Sequence, residues 1–214
     1  MFKRQNKSIL DYFTPLKKNE SSTPVLPIRL APKQDNKPTV TFDEPNAKQQ
    51  YYVFTDGSQI REAGTHRSLA VAWAYVIKRK DGTRVHKDVG KLRSSETNQR
   101  AELLSIYNAL QWCKTNLNVP CDLHVYTDSE YSLNCLTLWV YGWKKAGWKN
   151  AKKQNVKHRD IIEPCFLLME ALRNANTRVQ LTHIRSHTNN DDFFAKGNAE
   201  ADEMASNMSR LQLR

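Results

Sequence analysis

Residues 51–210 switch between two hydrophobic periods, and the order of the switches leaves few architectures open. Residues 51–55 form a β-branched and aromatic run. Residues 70–79 and 83–93 flank Asp81-Gly82, a strong hairpin signal because Gly takes positive φ without strain. The period then changes. Leu103, Ile106, Leu110, Cys113 and Leu117 recur at three-to-four spacing and predict a helix over 97–116. Beyond it the sequence reads as a buried strand at 123–127 and a helix at 129–141. A second helix follows at 161–175, starting near Asp160, then a strand at 178–184 and a helix at 198–210. The order β-β-β-α-β-α-α-β-α predicts an α/β fold, a five-stranded mixed sheet flanked by helices.

Residues 1–50 follow neither period. They hold Pro15, Pro24, Pro27, Pro32, Pro38 and Pro45, six of the chain's eight prolines, among many Lys, Asn, Ser and Thr. Such a composition buries too little apolar surface to offset chain entropy and predicts a disordered arm before a folded domain at 51–210 and a short tail at 211–214. The 214 residues carry a formal net charge of +11, which favours a polyanionic partner. Cys113, Cys121, Cys135 and Cys165 form no C-x-x-C pair and mostly fall within helical patterns, so they read as reduced packing residues. No stretch approaches the roughly 18 apolar residues of a spanning helix, and no secretory signal is evident. The expectation is a soluble intracellular monomer, in nucleus or cytoplasm, with no membrane partner.

Four carboxylates stand in distinctive contexts: Asp56 in FTDGS (54–58), Glu102 in TNQRAEL (97–103), Asp128 in YTDSE (126–130) and Asp202 in GNAEADEMA (197–205). One Asp-Gly would be only a turn signal. In this order, however, Asp56 and Asp128 fall at the C-terminal ends of predicted strands, where open α/β sheets place their sites. Glu102 falls one turn into a helix and Asp202 near the start of another. Acids gathered in this way suit hard divalent cations and hydrolysis of a phosphodiester.

These motifs, together with THIRSH at 182–187, resemble in content and order those of type 1 ribonuclease H, and the resemblance spans the predicted domain. It implies an RNase H-like fold and an endonuclease that cuts the RNA strand of RNA–DNA hybrids, leaving 5′-phosphate and 3′-hydroxyl ends. Removal of RNA primers or R-loops during replication is the implied role. Asp56, Glu102, Asp128 and Asp202 would hold two Mg²⁺ ions, with Mn²⁺ as a substitute. His187 resembles the family's mobile histidine, which aids proton transfer or product release. His183 reads as a structural strand residue and Glu200 as a surface one.

The resemblance also implies how the hybrid is held. Ser58, Thr97, Asn98 and Gln99 match substrate-contacting positions, with Asn98 and Gln99 suited to 2′-hydroxyls or base edges; Thr97 also reads as a helix cap. From Lys144 to Arg159 there are seven Lys or Arg and no acid, interleaved with tryptophan. This segment is similar to the family's basic protrusion, in which Trp143, Lys144, Lys145, Trp148 and Lys149 would grip the DNA strand. The TNQRAE segment and this protrusion argue against a resolvase or integrase-type nuclease on the same fold. Two stretches depart from the family pattern. The loop after Asp56 reads QIREAGTHRSLA and lacks the Gly/Pro-rich run of bacterial members, and Ser94, Ser95 and Glu96 stand where some relatives carry a phosphate-binding Arg or Gln. The acidic loop 188–196 has no assigned role.

In the arm, NKSILDYF (6–13) is similar to the box that binds PCNA-type sliding clamps. Ile9, Tyr12 and Phe13 have the spacing of its aliphatic and aromatic plugs, while Asn6 stands where Gln is usual. Lys3, Arg4, Lys7, Lys17 and Lys18 flank it, and Asp11 is the one acid in the first 19 residues. A mitochondrial presequence is the rival reading, disfavoured by the scarcity of Arg.

Overall fold

The computed structural model describes residues 48–117, 120–185 and 191–214. Strands β1 (Gln49–Arg61), β2 (Ser68–Lys78) and β3 (Arg84–Leu92) precede helix α1 (Asn98–Asn116) and strand β4 (Cys121–Thr127). Helix α2 (Glu130–Asn134) runs through a π-helical turn, Cys135–Trp139, into α3 (Val140–Lys145). Helix α4 (Arg159–Asn174), strand β5 (Arg178–His183) and helix α5 (Phe193–Leu211) complete the fold. Taken as one rod, α2 to α3 give the element order read from the sequence. The five strands lie in the order β3-β2-β1-β4-β5. The first three pair antiparallel, and β1, β4 and β5 run parallel. The five-stranded mixed sheet is therefore as expected.

The hairpin forms where Asp81-Gly82 requires it. Gly82 has φ of 87°, and Asp81 Oδ1 accepts the Thr83 amide at 2.8 Å. Strand alternation then sorts the core between two faces. Tyr51, Val53, Leu123 and Val125 point towards α1 and α4 and join Leu103, Ile106, Leu110, Ile162 and Met169 in the larger core. Tyr52, Phe54 and Val76 point to the other face, where Ala201 of α5 meets them. Full burial of each large side chain contributes about 1.5–3 kcal/mol relative to exposure. All four cysteines are free and buried, as their helical and strand contexts predict. Among the described residues no helix is long and apolar enough to cross a membrane.

Three boundaries differ from the sequence reading, each for a physical reason. First, β1 does not turn at Asp56-Gly57. It continues to Arg61 because β2 stays paired with it, Asp56 opposite Ala74 and Gly57 opposite Trp73. Second, the helix predicted over 129–141 reaches Lys145, since the π-helical turn absorbs an extra residue without breaking the rod. Third, α5 starts at Phe193, five residues before the predicted start. Asp192 caps it by accepting the Ala195 amide at 2.8 Å, and Asp191 pairs with Lys196 at 3.1 Å. Asp202 consequently lies in the middle of its helix. Glu200 is not a plain surface residue either: it bridges α5 to β2 and β3 through Lys78 at 2.7 Å and Arg84 at 2.6 Å.

Close helix–sheet contact makes two glycines respond oppositely to the same substitution. A Cβ at Gly197 would lie 2.4 Å from the Phe54 ring, whereas one at Gly142 in α3 would meet nothing within 4 Å. Gly197→Ala should destabilise the fold by about 1–3 kcal/mol through overpacking, and Gly142→Ala should stabilise it by about 0.5–1 kcal/mol through helix propensity. Urea unfolding of the two variants checks both signs; a Gly197→Ala protein as stable as the wild type would show that α5 can shift away from the sheet.

Candidate active site

The acids converge because β1 outruns its neighbour. Parallel pairing of β1 with β4 ends at Thr55 opposite Thr127. Asp128 follows at once, while β1 continues with Asp56. The pairing ends there, and the carboxylates of Asp56 and Asp128 come together just beyond it. Glu102 joins them from α1, whose start lies almost on β1. A Cβ at Gly57 would come within 2.7 Å of the Glu102 backbone nitrogen, a contact that only glycine permits. Thr97 caps α1 by accepting the Arg100 amide at 3.3 Å. Arg100 then anchors the helix start through Glu96 at 3.1 Å and through Asp160 of α4. Sequence reading passed over this arginine. Its only signal was its place inside the TNQRAE segment.

One carboxylate oxygen from each of Asp56, Glu102 and Asp128 lies within 4.8 Å of the others. Asp56 and Glu102 are each 5% exposed. Asp202, half-buried on α5, is not part of this tight group, yet its charge still reaches Asp56. Its Oδ1 accepts the Ser206 hydroxyl at 3.3 Å. On Glu102, Oε1 accepts from Asn98 Nδ2 at 3.1 Å, but the buried Oε2 has no hydrogen-bond partner. A buried carboxylate oxygen without a donor, beside two more carboxylates, fits a hard cation with oxygen ligands.

The remaining expected site residues fall into place unevenly. Ser58 follows on the Asp56 face of β1, and its carbonyl accepts the Ser209 hydroxyl of α5 at 3.3 Å. Gln99 is exposed and lines a cavity of about 200 Å³ with Tyr131, Trp143, Asn150, Val156 and Lys157. Lys144 stands over the Phe166 ring at 4.5 Å, Lys145 is exposed, and Lys149 Nζ donates to Asn155 at 2.6 Å. Trp148 does not match the expectation of an exposed indole. It is 7% exposed and belongs to the main core, with Arg159 stacked over its ring at 5.0 Å. Its backbone closes the protrusion, donating to the Trp143 carbonyl at 2.7 Å and accepting from the Val156 amide at 3.1 Å. A left-handed φ of 61° places it there. It therefore packs the protrusion from within. His183, at the end of β5, contacts the Asp128 carbonyl at 3.1 Å, in keeping with a structural role. His187 and the box at residues 6–13, with Asn6, Ile9, Tyr12 and Phe13, lie outside the described residues.

Electrostatically the site is strained. Burial, then the charges of Asp128 and Asp202, push the Asp56 carboxyl up to about 8. Burial, then Asp56 and Asp128, raise Glu102 well above the usual carboxylate range. The native state thus holds protons that the unfolded chain, with carboxylates near 4, releases. Stability without metal is full below about pH 4 for these groups and is lost as pH rises towards 8. Asp56→Asn should abolish most of that loss and raise stability by about 1–2 kcal/mol at pH 8. Chemical unfolding in chelator at pH 5 and pH 8 checks this; an equal pH dependence in both proteins would contradict the assignment of the strain to Asp56.

Comparison with known proteins agrees with this arrangement. A sequence model of the RNase H family matches residues 48–210. The ribonuclease H of Rhizobium johnstonii is 32% identical over 153 residues, covering 72% of this chain and 87% of that one. The ribonuclease HI of Vibrio parahaemolyticus is 37% identical over 109 residues, covering 51% of this chain and 63% of the relative. Among solved structures, the PFV RNase H domain superposes with a TM-score of 0.62 at 22% identity, over 77% of this chain and 97% of the domain. The foamy viral protease-reverse transcriptase in complex with RNA/DNA hybrid gives 0.62 at 21% identity, over 82% of this chain and 23% of that one. A mixed sheet with acids gathered where β1 passes β4, and a family match over three quarters of the sequence, lead to one conclusion: the chain belongs to the RNase H family, a family of nucleic-acid hydrolases.

Proposed function

We propose that this protein is an endonuclease that hydrolyses the RNA strand of RNA–DNA hybrids. The observation that carries the reading is the meeting of carboxylate oxygens of Asp56, Glu102 and Asp128, with Glu102 Oε2 buried and unpartnered, one helical turn from the amides of Asn98 and Gln99. The relatives named ribonuclease H agree with it, as does a neighbour of like fold solved with an RNA/DNA hybrid.

Asp56, Glu102, Asp128 and Asp202 would hold two Mg²⁺ ions, or Mn²⁺ in their place. Bound there, the ions would supply activation of a water and stabilisation of the departing 3′ oxygen. The protein's own groups do the rest. Asn98 donates to one oxygen of Glu102 and so restricts the rotation of its carboxylate. Gln99, exposed at the start of α1, offers both a donor and an acceptor, as recognition of a 2′-hydroxyl requires. Thr97 caps the same helix start, and Ser58 follows Asp56 on β1. Trp143 supplies an apolar face to the cavity beside Gln99 and Lys157 lines it, while Lys144, Lys145 and Lys149 elsewhere on the protrusion add charge for the DNA strand. His187 assists proton transfer or product release. The products carry 5′-phosphate and 3′-hydroxyl ends, consistent with a role in clearing RNA primers or R-loops during replication.

Incubation with Mg²⁺ and labelled RNA–DNA hybrid, duplex DNA and duplex RNA tests this reading. Cleavage should be confined to the RNA of the hybrid, and Asp128→Asn should lower kcat by roughly 10²-fold or more, the scale set by loss of a group that stabilises developing charge. Cleavage of duplex DNA, or an unchanged rate in the variant, would refute it. Residues 6–13 are read as a recruiting segment for a PCNA-type clamp, on the spacing of Ile9, Tyr12 and Phe13. An Ile9→Ala/Phe13→Ala protein should lose clamp capture in a pull-down and retain full cleavage; persistent capture would show the box to be a chance match.

A further inference from the structure

A second cavity, of about 430 Å³, opens at the far end of β1, where Arg61, His66, Arg67, Ser68 and Ser95 line it beside Thr97. Apart from Thr97, none of these residues has a role in the site described above. Arg61 and Ser68 face each other across the β1–β2 turn, and Arg67 is next to Ser68. The turn is closed by a 2.9 Å hydrogen bond from the Glu62 amide to the Arg67 carbonyl. Two guanidinium groups are thus built into one short turn.

The side chains around the opening are arranged for an anion. Gln59 Nε2 donates to the Glu96 carbonyl at 3.2 Å, and its Oε1 accepts from Arg61 Nε and Nη2 at 3.2 and 3.0 Å. One edge of the Arg61 guanidinium is thereby fixed, leaving further N–H groups for another acceptor. Arg67 meets Glu62 only at 3.9 Å and is 72% exposed, so solvent screens that pair almost completely. The acid among the lining residues, Glu96, is engaged by Arg100 at 3.1 Å. Ser68 Oγ is buried with no hydrogen-bond partner. A buried hydroxyl left so loses about 1–3 kcal/mol, which a ligand oxygen can restore. Paired guanidiniums, an imidazole and serine hydroxyls match the oxygens of a phosphodiester.

Placement selects the strand. Gln59 and Arg61 share the Gly57 face of β1, the face on which α1 lies. The N-terminal turn of α1 therefore stands between two cavities, with Thr97 at one and Gln99 at the other. A duplex laid across that turn presents one strand to each. The side bearing Trp143 and Lys157 is assigned above to DNA, which leaves the Arg61 side to RNA. At about 3.3 Å per strand residue, Arg61 lies some 17 Å along β1 from Asp56, several nucleotides from the bond that is cut.

We propose that Arg61, Arg67 and Ser68 form a phosphate-binding subsite for the RNA strand of the hybrid, remote from the scissile bond. This rests on the hybrid-cleavage reading, so the test measures binding separately from chemistry. Anisotropy of a labelled hybrid in chelator compares the full chain with Arg61→Ala/Arg67→Ala. The control is Lys80→Ala/Lys87→Ala, which removes the same charge at the opposite end of the sheet, beside the strand partners of Tyr52 and Val76. The arginine variant should bind at least about tenfold more weakly, and its plot of log affinity against log salt should flatten by about one unit, as for one lost phosphate contact. In cleavage assays KM should rise while kcat holds. Arg61→Lys/Arg67→Lys should recover the salt slope and only part of the affinity, since a lysine keeps the charge and loses the fork.

Methylphosphonate substitution along the RNA should weaken wild-type binding at one position several nucleotides from the cut, and the arginine variant should be indifferent there. Binding equal to that of the lysine control, or a sensitive position in the DNA strand instead, overturns the proposal. A wild type that binds hybrid with this RNA sensitivity but never cleaves it overturns the functional reading and leaves the subsite standing.

Discussion

The contact between β1 and α1 at Gly57 governs the rest of the molecule. Strand and helix approach so closely there that the Glu102 amide nitrogen lies 2.7 Å from where a Cβ would be. This close approach is what brings a helix-borne acid to a strand-borne one. The larger core then holds the helix down through Leu103, Ile106 and Leu110, and Arg100 ties its first turn to α4. Packing therefore sets the distance between Asp56 and Glu102, and the acids have no freedom to relax apart. The burial of both and their raised proton affinities follow from that constraint.

Such a cluster opposes folding and persists only because packing elsewhere outweighs it. Aliphatic and aromatic burial on both faces of the sheet supplies the surplus. The Asn98 donor offsets part of the repulsion at Glu102, and the Gly57 backbone amide does the same for both Asp56 and Glu102. The unpartnered Glu102 Oε2 shows that the compensation by protein groups is incomplete. A site left short of positive charge in this way is poised for cations, and cation binding there must displace protons.

Much of this was readable in the sequence, for reasons specific to each element. Period and turn chemistry are local, so the Asp81-Gly82 hairpin and the 3.6-residue repeat of α1 could be located directly. Asp56-Gly57 was misleading because the same dipeptide that favours a turn also suits a strand pressed against a helix, and only the Trp73 and Ala74 partners of β2 decide between the two. Asp192 looked like part of an acidic loop because a cap is defined by the helix that follows, and Phe193-Phe194 carry no helical signature of their own. Trp148 could not be placed from composition. Its inward turn depends on a left-handed backbone and on hydrogen bonds to Trp143 and Val156. Arg100 escaped notice and Glu200 read as a surface residue because a charged residue on a helix is usually solvated, and their partners Asp160, Lys78 and Arg84 are remote in sequence.

The mixed pairing of the sheet gives the site its asymmetry. β1 is paired with antiparallel β2 along nearly its whole length but with parallel β4 only as far as Thr55. On the β2 side the hydrogen-bonded ribbon therefore projects past the acids and carries Arg61, Arg67 and Ser68 on a closed turn. On the β4 side the chain leaves the sheet at Asp128 and enters the rod from α2 to α3, which leads into the lysine-rich protrusion. Rigid ribbon on one flank and basic, aromatic protrusion on the other are chemically unlike surfaces beside one catalytic gap. The duplex best matched to them also has unlike strands, one bearing 2′-hydroxyls and one lacking them. On the proposed function, the end of a single parallel pairing is what sets these two unlike flanks on either side of the acids.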